Sequence, residues 1–91
     1  PYVPEPDVTI IIPVYNQLAY TVRCLKALAS HATKCTFEVI VMDDVSSDLT
    51  PEIITKIDGV RYVRNEENLG FLRNCNKAAG LAKGSYLVFL N

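Results

Sequence analysis

Most of the features that reveal a chemistry at first sight are missing from this sequence. Its 91 residues hold one histidine and three cysteines, and nine Lys and Arg face ten Asp and Glu for a net charge of −1. Nucleic-acid binders carry a basic excess that displaces counterions from phosphates. With no such excess and no Lys/Arg-rich run, nucleic acid is excluded as a partner. The cysteines, Cys24, Cys35 and Cys75, are odd in number and lack C-x-x-C spacing. They read as reduced thiols of a cytoplasmic protein, with Cys24 and Cys75 on apolar helix faces. No apolar run approaches the roughly 20 residues that span a bilayer, and no signal peptide opens the chain. G-x-S-x-G, Walker, G-x-G-x-x-G and zinc-ligand spacings are all absent, as is a nucleophile–base pair. His31, just after the first helix, reads as a surface residue rather than a catalytic one.

What is present is regular. Hydrophobic residues make up 49% and charged residues 21%, the balance of a folded domain. After an extended lead-in over residues 1–7, Val8–Ile12 is a β-branched run without alternation, the mark of a strand buried on both faces, with Pro13 closing it. Leu18, Val22, Leu25 and Leu28 recur at helical spacing up to Ser30, with Asn16 as the expected N-cap. Phe37–Met42 is a second strand. Thr50-Pro51-Glu52 carries a capping residue, a first-turn proline and an acid. It opens a short helix faced by Ile53, Ile54 and Ile57 and stopped at Asp58-Gly59.

Val60–Val63 gives a third strand. A third helix starts near Gly70 with Phe71, Cys75, Ala78 and Ala82 on its apolar stripe, and Gly84 is expected to end it in a left-handed conformation. Tyr86–Leu90 reads as a fourth buried strand. The order β-α-β-α-β-α-β predicts an α/β domain over residues 8–91, a parallel sheet between helix layers, with spatial order 3-2-1-4. Ligands bind such sheets at the carboxyl ends of strands, near the point where strand order reverses, here between strands 1 and 4.

The polar clusters all fall at that end. Pro13-Val14-Tyr15-Asn16-Gln17 follows strand 1, and Tyr15 offers a ring to a flat base. Asp43-Asp44-Val45-Ser46-Ser47-Asp48 follows strand 2. A carboxylate there accepts from a base N–H or from ribose hydroxyls, although Asp48, Ser46 and Ser47 also suit simple turn and cap roles. Asn65 to Asn74 follows strand 3. Asn68 and Gly70 fit a tight loop, and the helix start beyond them offers free N–H groups to an anion. Arg73 in the first turn opposes the helix dipole, a penalty that a diphosphate would offset.

Taken together, VTIIIPVYN, EVIVMDDVSSD and NEENLGFLRNCNKAAGLAKGSYLVFLN resemble the amino-terminal, nucleotide-sugar-binding half of inverting family 2 glycosyltransferases with the GT-A fold. The resemblance covers Val8 to Asn91, with three motifs in order. It implies that Pro13, Val14, Tyr15 and Asn16 contact the donor base and that Asp44 binds it. Asp43 and Ser46 would belong to the same site, with Asp43 supporting the loop, while Asn68, Gly70 and Arg73 flank the sugar nucleotide. Asn91 would begin a DxD-like motif whose last aspartate holds Mg²⁺ or Mn²⁺ on the diphosphate. Val45 departs from the glycine common at its position.

The resemblance further implies that the metal aspartate, the catalytic base and the site for a carbohydrate or glycolipid acceptor lie beyond Asn91, so that this segment is an inactive donor-binding piece of a polysaccharide- or glycoconjugate-building enzyme at the inner membrane face. Strand 4 would then be an open apolar edge prone to self-association. Two other readings are a non-catalytic interaction scaffold on the same fold and a flavodoxin-like signalling module. The second is disfavoured, because its acid pair would follow strand 1 rather than strand 2.

Overall fold

The computed structural model describes residues 6–30 and 37–90; His31, Cys35 and Asn91 lie outside them, as do residues 1–5 of the lead-in. The elements are β1 Val8–Val14, α1 Leu18–Ser30, β2 Phe37–Asp43, α2 Thr50–Ile54, β3 Val60–Arg64, α3 Phe71–Leu81 and β4 Tyr86–Phe89. All strand pairs are parallel and the order is β3-β2-β1-β4, as the alternation of elements predicts.

Side chains alternate across the sheet and so divide the core in two. On one face Ile10, Ile12, Val14, Val39 and Val41 bury themselves with Leu25 of α1 and Ile54 of α2, and Cys24 packs at the margin. On the other, Ile11, Ile40 and Met42 meet Ala78 of α3. The β-branched runs of β1 and β2 lack alternation because both faces are covered.

Pro13 does not end β1; it pairs with Met42 in the ladder. The reason is parity. The Leu90 N–H donates to Ile11 O (2.9 Å), so Ile11 faces β4, whereas Val14 O accepts from the Asp44 N–H on the β2 side (2.7 Å). Pro13 shares the parity of Ile11, so its missing N–H points toward the β4 side and the β1–β2 ladder loses no hydrogen bond.

Three further expectations change. The fourth strand is not buried: Tyr86, Leu87, Val88 and Phe89 are 42–70% exposed. β4 is an edge, and α3 packs on β1 and β2. The buried stripe of α3 is Asn74, Cys75 and Ala78, with Phe71 turned outward, because Asn74 finds hydrogen-bond partners in the interior. Gly84 does not supply a left-handed cap; Ala82 ends α3 in an extended conformation. Glycine stands at 84 for space, since a Cβ there would lie 2.5 Å from the Thr9 nitrogen. Its N–H donates to Thr9 Oγ1 (2.8 Å), and that hydroxyl donates to the buried Glu38 Oε2 (2.6 Å).

Candidate functional site

Three loops emerge at the carboxyl end of the sheet, and two adjacent aspartates organise them. Alternation sends their side chains to opposite faces. Asp43 follows the parity of Val41 and is fully buried. Its Oδ1 accepts from the Ser46 N–H (2.9 Å) and the Ser46 hydroxyl (2.6 Å). Its Oδ2 accepts from the Tyr62 hydroxyl and from Arg64 Nη1 (3.2 Å). Burial, with the hydrogen bond to Asp43 adding to it, pushes the Tyr62 phenol up to about 12. Arg64 also donates through Nη2 to Ser46 O (3.1 Å). Asp43 therefore ties the turn at Ser46 to β3.

Ser46 passes this order on to the first loop. Its hydroxyl oxygen accepts from the Asn16 N–H (2.7 Å), and Asn16 Oδ1 accepts from the N–H groups of Ser47 (2.7 Å) and Asp48 (3.2 Å). Asn16 is thus not the N-cap of α1. With φ of 60° it clasps the two loops together, and the Leu18 N–H is taken by Asp48 Oδ2 (3.3 Å). Asp48 Oδ1 also accepts from the Thr50 N–H (2.9 Å), so Asp48 performs the capping expected of Thr50.

Asp44 lies on the α3 face and is 4% exposed. The Leu69 N–H (2.7 Å) and Asn65 Nδ2 (2.8 Å) donate to Oδ1, and the Gly70 N–H (2.9 Å) donates to Oδ2. Burial by itself would raise the carboxyl's pKa, but these three donors outweigh it and hold the group below the ordinary carboxylate range. The Asn68 amide donates to Asp44 O (3.0 Å) and closes the loop over the same residue. Beneath, Asn65 Nδ2 also donates to Asn74 Oδ1 (2.7 Å), and Asn74 Nδ2 donates to Met42 O (3.0 Å). Gly70, the residue before α3, has φ 83° and ψ 163°, a region open essentially to glycine.

A cleft of about 520 Å³ opens above this network, within the range of small-molecule sites. Of the residues expected there, Pro13, Val14, Tyr15, Asp44, Asn68 and Gly70 line it. Asn16, Asp43 and Ser46 stand behind it as scaffolding, and Arg73 is exposed on α3 outside the lining. Phe71 and Asn74, which lie in the Asn65–Asn74 segment but carry no ligand role in the sequence reading, also line the cleft. Helical spacing assigns Phe71 to the apolar stripe of α3, and a buried Asn74 has no sequence signal beyond lying one turn into the helix. No described residue of β4 contributes. To return from β3, α3 crosses the sheet and packs on β2 and β1, so its first turn roofs those two strands rather than the β1–β4 gap.

Among the described residues, no group of three or more His, Cys, Asp or Glu is placed to hold a metal ion. Asp44 in particular does not suit a divalent cation, because N–H donors already surround it. No helix among the described residues is long and apolar enough to cross a membrane.

An open parallel sheet with a polar-floored cleft at its carboxyl end defines an α/β domain that takes ligands at the ends of its strands. The family described as Glycosyl transferase family 2 matches residues 9–91, and the chain belongs to it. The succinoglycan biosynthesis protein ExoO of Rhizobium meliloti is 35% identical over 89 residues, covering 94% of this chain and 25% of that protein. S. aureus TarS in complex with UDP-GlcNAc superposes with a TM-score of 0.80 at 30% identity, covering 92% of this chain and 26% of the other. The mannosyltransferase PcManGT of Pyrobaculum calidifontis, in complex with GDP-Man and Mn²⁺, gives 0.71 at 28% identity, covering 86% and 25%. The fold is of the GT-A type. The chain spans 25–28% of the length of three curated relatives it matches, ExoO among them, and less of some others.

Two outcomes follow from the site's geometry. Val45 is a β-branched residue at φ 68°, so Val45→Gly relieves strain that exceeds glycine's entropic cost. Denaturant unfolding should show about 1 kcal/mol of added stability. Asp44→Asn presents an amide to N–H donors and should cost about 1–3 kcal/mol near neutral pH. Because the folded pKa is depressed, Asp44's contribution is complete above an unfolded value of about 4 and is lost as pH falls through the folded value. The stability gap between the unaltered chain and Asp44→Asn should therefore be full at neutral pH and narrow in acid. A gap that stays constant would contradict this account.

Proposed function

We propose that this chain is the donor-binding part of an enzyme that transfers a sugar from a nucleotide diphosphate to an acceptor hydroxyl. The observation that carries the reading is the joint placement of Asp44 and Tyr15 on one cleft. A carboxylate offers about four acceptor positions, and Asp44 uses three of them on Leu69, Asn65 and Gly70. The fourth, on Oδ2, is left for a ring N–H such as that of uracil, thymine or guanine. Tyr15, 56% exposed, provides a flat surface for the same ring. The UDP-GlcNAc and GDP-Man complexes of the structural relatives support a nucleotide-sugar ligand.

In the transfer, the acceptor oxygen bonds to the anomeric carbon as the bond to the diphosphate oxygen breaks, and the hydroxyl proton passes to a general base. That base is not among the described residues, so the reading assigns it to a longer polypeptide, together with a carbohydrate or glycolipid acceptor site. The Mn²⁺ of PcManGT supports a divalent cation, Mg²⁺ or Mn²⁺, in the complete enzyme. The described acids do not suit it, and Asn91 lies outside the described residues. Free thiols at Cys24 and Cys75 support a reducing, cytoplasmic location, and a glycolipid acceptor would put the complete enzyme at the inner membrane face. The exposed apolar β4 supports a second contact, self-association of the isolated chain along that edge.

Calorimetric titration of the longest available polypeptide with UDP-, GDP- and dTDP-sugars should detect binding of at least one donor. Tyr15→Ala should raise its Kd about tenfold without loss of folding. Failure of every donor to bind, or an unchanged Kd in Tyr15→Ala, would remove the assignment. For the β4 contact, light scattering should show mass rising with concentration; a monomer throughout would refute it.

A further inference from the structure

The cleft has two uncovered aromatic side chains, on different structural elements. Tyr15 follows β1, and Phe71 is the first residue of α3 with 61% of its surface exposed. Both line the cleft whose floor is formed by Asp44 and Asn74. The helical periodicity would use Phe71 as a core residue, yet the helix turns it away from the core and buries Asn74 instead. Leaving a phenylalanine in water forgoes about 1.5–3 kcal/mol of burial, and an alanine would serve the helix better. Its presence at the cleft needs another cause.

The placement of Phe71 is also fixed by the floor. The Leu69 and Gly70 N–H groups are anchored on Asp44, and the Asn74 N–H donates back to Gly70 O (3.0 Å). Phe71 lies between these two anchors. The glycine-only conformation at Gly70 sets the direction in which α3 leaves the carboxylate. The residue that would read the ring N–H and the aromatic side chain beside it are thus one rigid unit.

We infer that Phe71 is a base-binding residue, the second aromatic wall of the donor site, closing on the ring face opposite Tyr15 so that a planar nucleobase sits between them with its edge toward Asp44. This rests on the nucleotide-donor reading and adds to it the part of the donor that α3 recognises: the base, rather than the sugar or the diphosphate. The apolar, flat contact suits a π-face and offers nothing to a charged phosphate.

The test uses the longest available polypeptide and nucleoside monophosphates (UMP, GMP and dTMP), alongside the complete diphosphate sugars. Phe71→Ala should raise the Kd of the preferred monophosphate about tenfold, and that of the matching diphosphate sugar by the same factor. Phe71→Tyr should retain binding. Because the side chain is exposed, the thermal midpoint of Phe71→Ala should match the unaltered protein, which separates a binding role from a folding one. If Phe71→Ala binds the monophosphate normally while Tyr15→Ala does not, the second wall is refuted and the donor reading stands. Absence of nucleotide binding by the unaltered polypeptide would overturn both.

Discussion

A buried carboxylate that keeps its charge has to be surrounded by donors, because water is not there to solvate it. Asp44 meets that condition through Leu69, Gly70 and Asn65, and the remainder of the site follows from it. The loop after β3 is drawn onto the end of β2, Gly70 is forced into a conformation other residues avoid, and α3 begins where that glycine points. Asn65 and Asn74 then carry the ordering down to the Met42 carbonyl, inside the sheet. Removing the charge removes the reason for the loop's shape.

The neighbouring Asp43 does a different task because a strand puts consecutive side chains on opposite faces. It gathers Tyr62, Arg64 and Ser46 on the α1–α2 side, and Ser46 passes the order to Asn16. Two acids adjacent in sequence therefore hold two separate halves of the rim. Val45, between Asp44 and Ser46, makes the reversal with a left-handed backbone. Strain at that residue is tolerated because hydrogen bonds fix the chain on both sides of it.

The strand order was legible because β1 and β2 are unbroken β-branched runs and the helices between them force parallel crossovers. The three loops were legible because polar clusters at strand ends are few in so short a chain. What escaped depends on contacts between distant residues. Asn74 falls in the polar cluster after β3, and only its contacts with Asn65 and the Met42 carbonyl account for its burial. Gly84 resembles a helix stop in sequence, and only the approach of Thr9 shows that it stands there for space. Asn16 has the chemistry of an N-cap, and the proximity of Ser47 and Asp48 decides that its oxygen serves them instead. Pro13 sits inside a strand because its nitrogen faces away from β2, so the β1–β2 ladder loses no hydrogen bond to it.

The division between floor and walls has an energetic logic. Polar groups that must recognise a ligand edge are expensive to reposition, and here they are already fixed by one another, so binding does not have to order the loops. The walls are left uncovered because their gain comes from excluding water, which needs a flat apolar partner rather than a network. Tyr15 and Phe71 lie on separate elements, yet each is tied to an aspartate: Tyr15 is next to Asn16 in the clasp that Asp43 supports, and Phe71 is next to Gly70 on Asp44. The spacing of the cleft is thus set by the separation of two adjacent backbone positions at the end of β2, a strand paired on both sides.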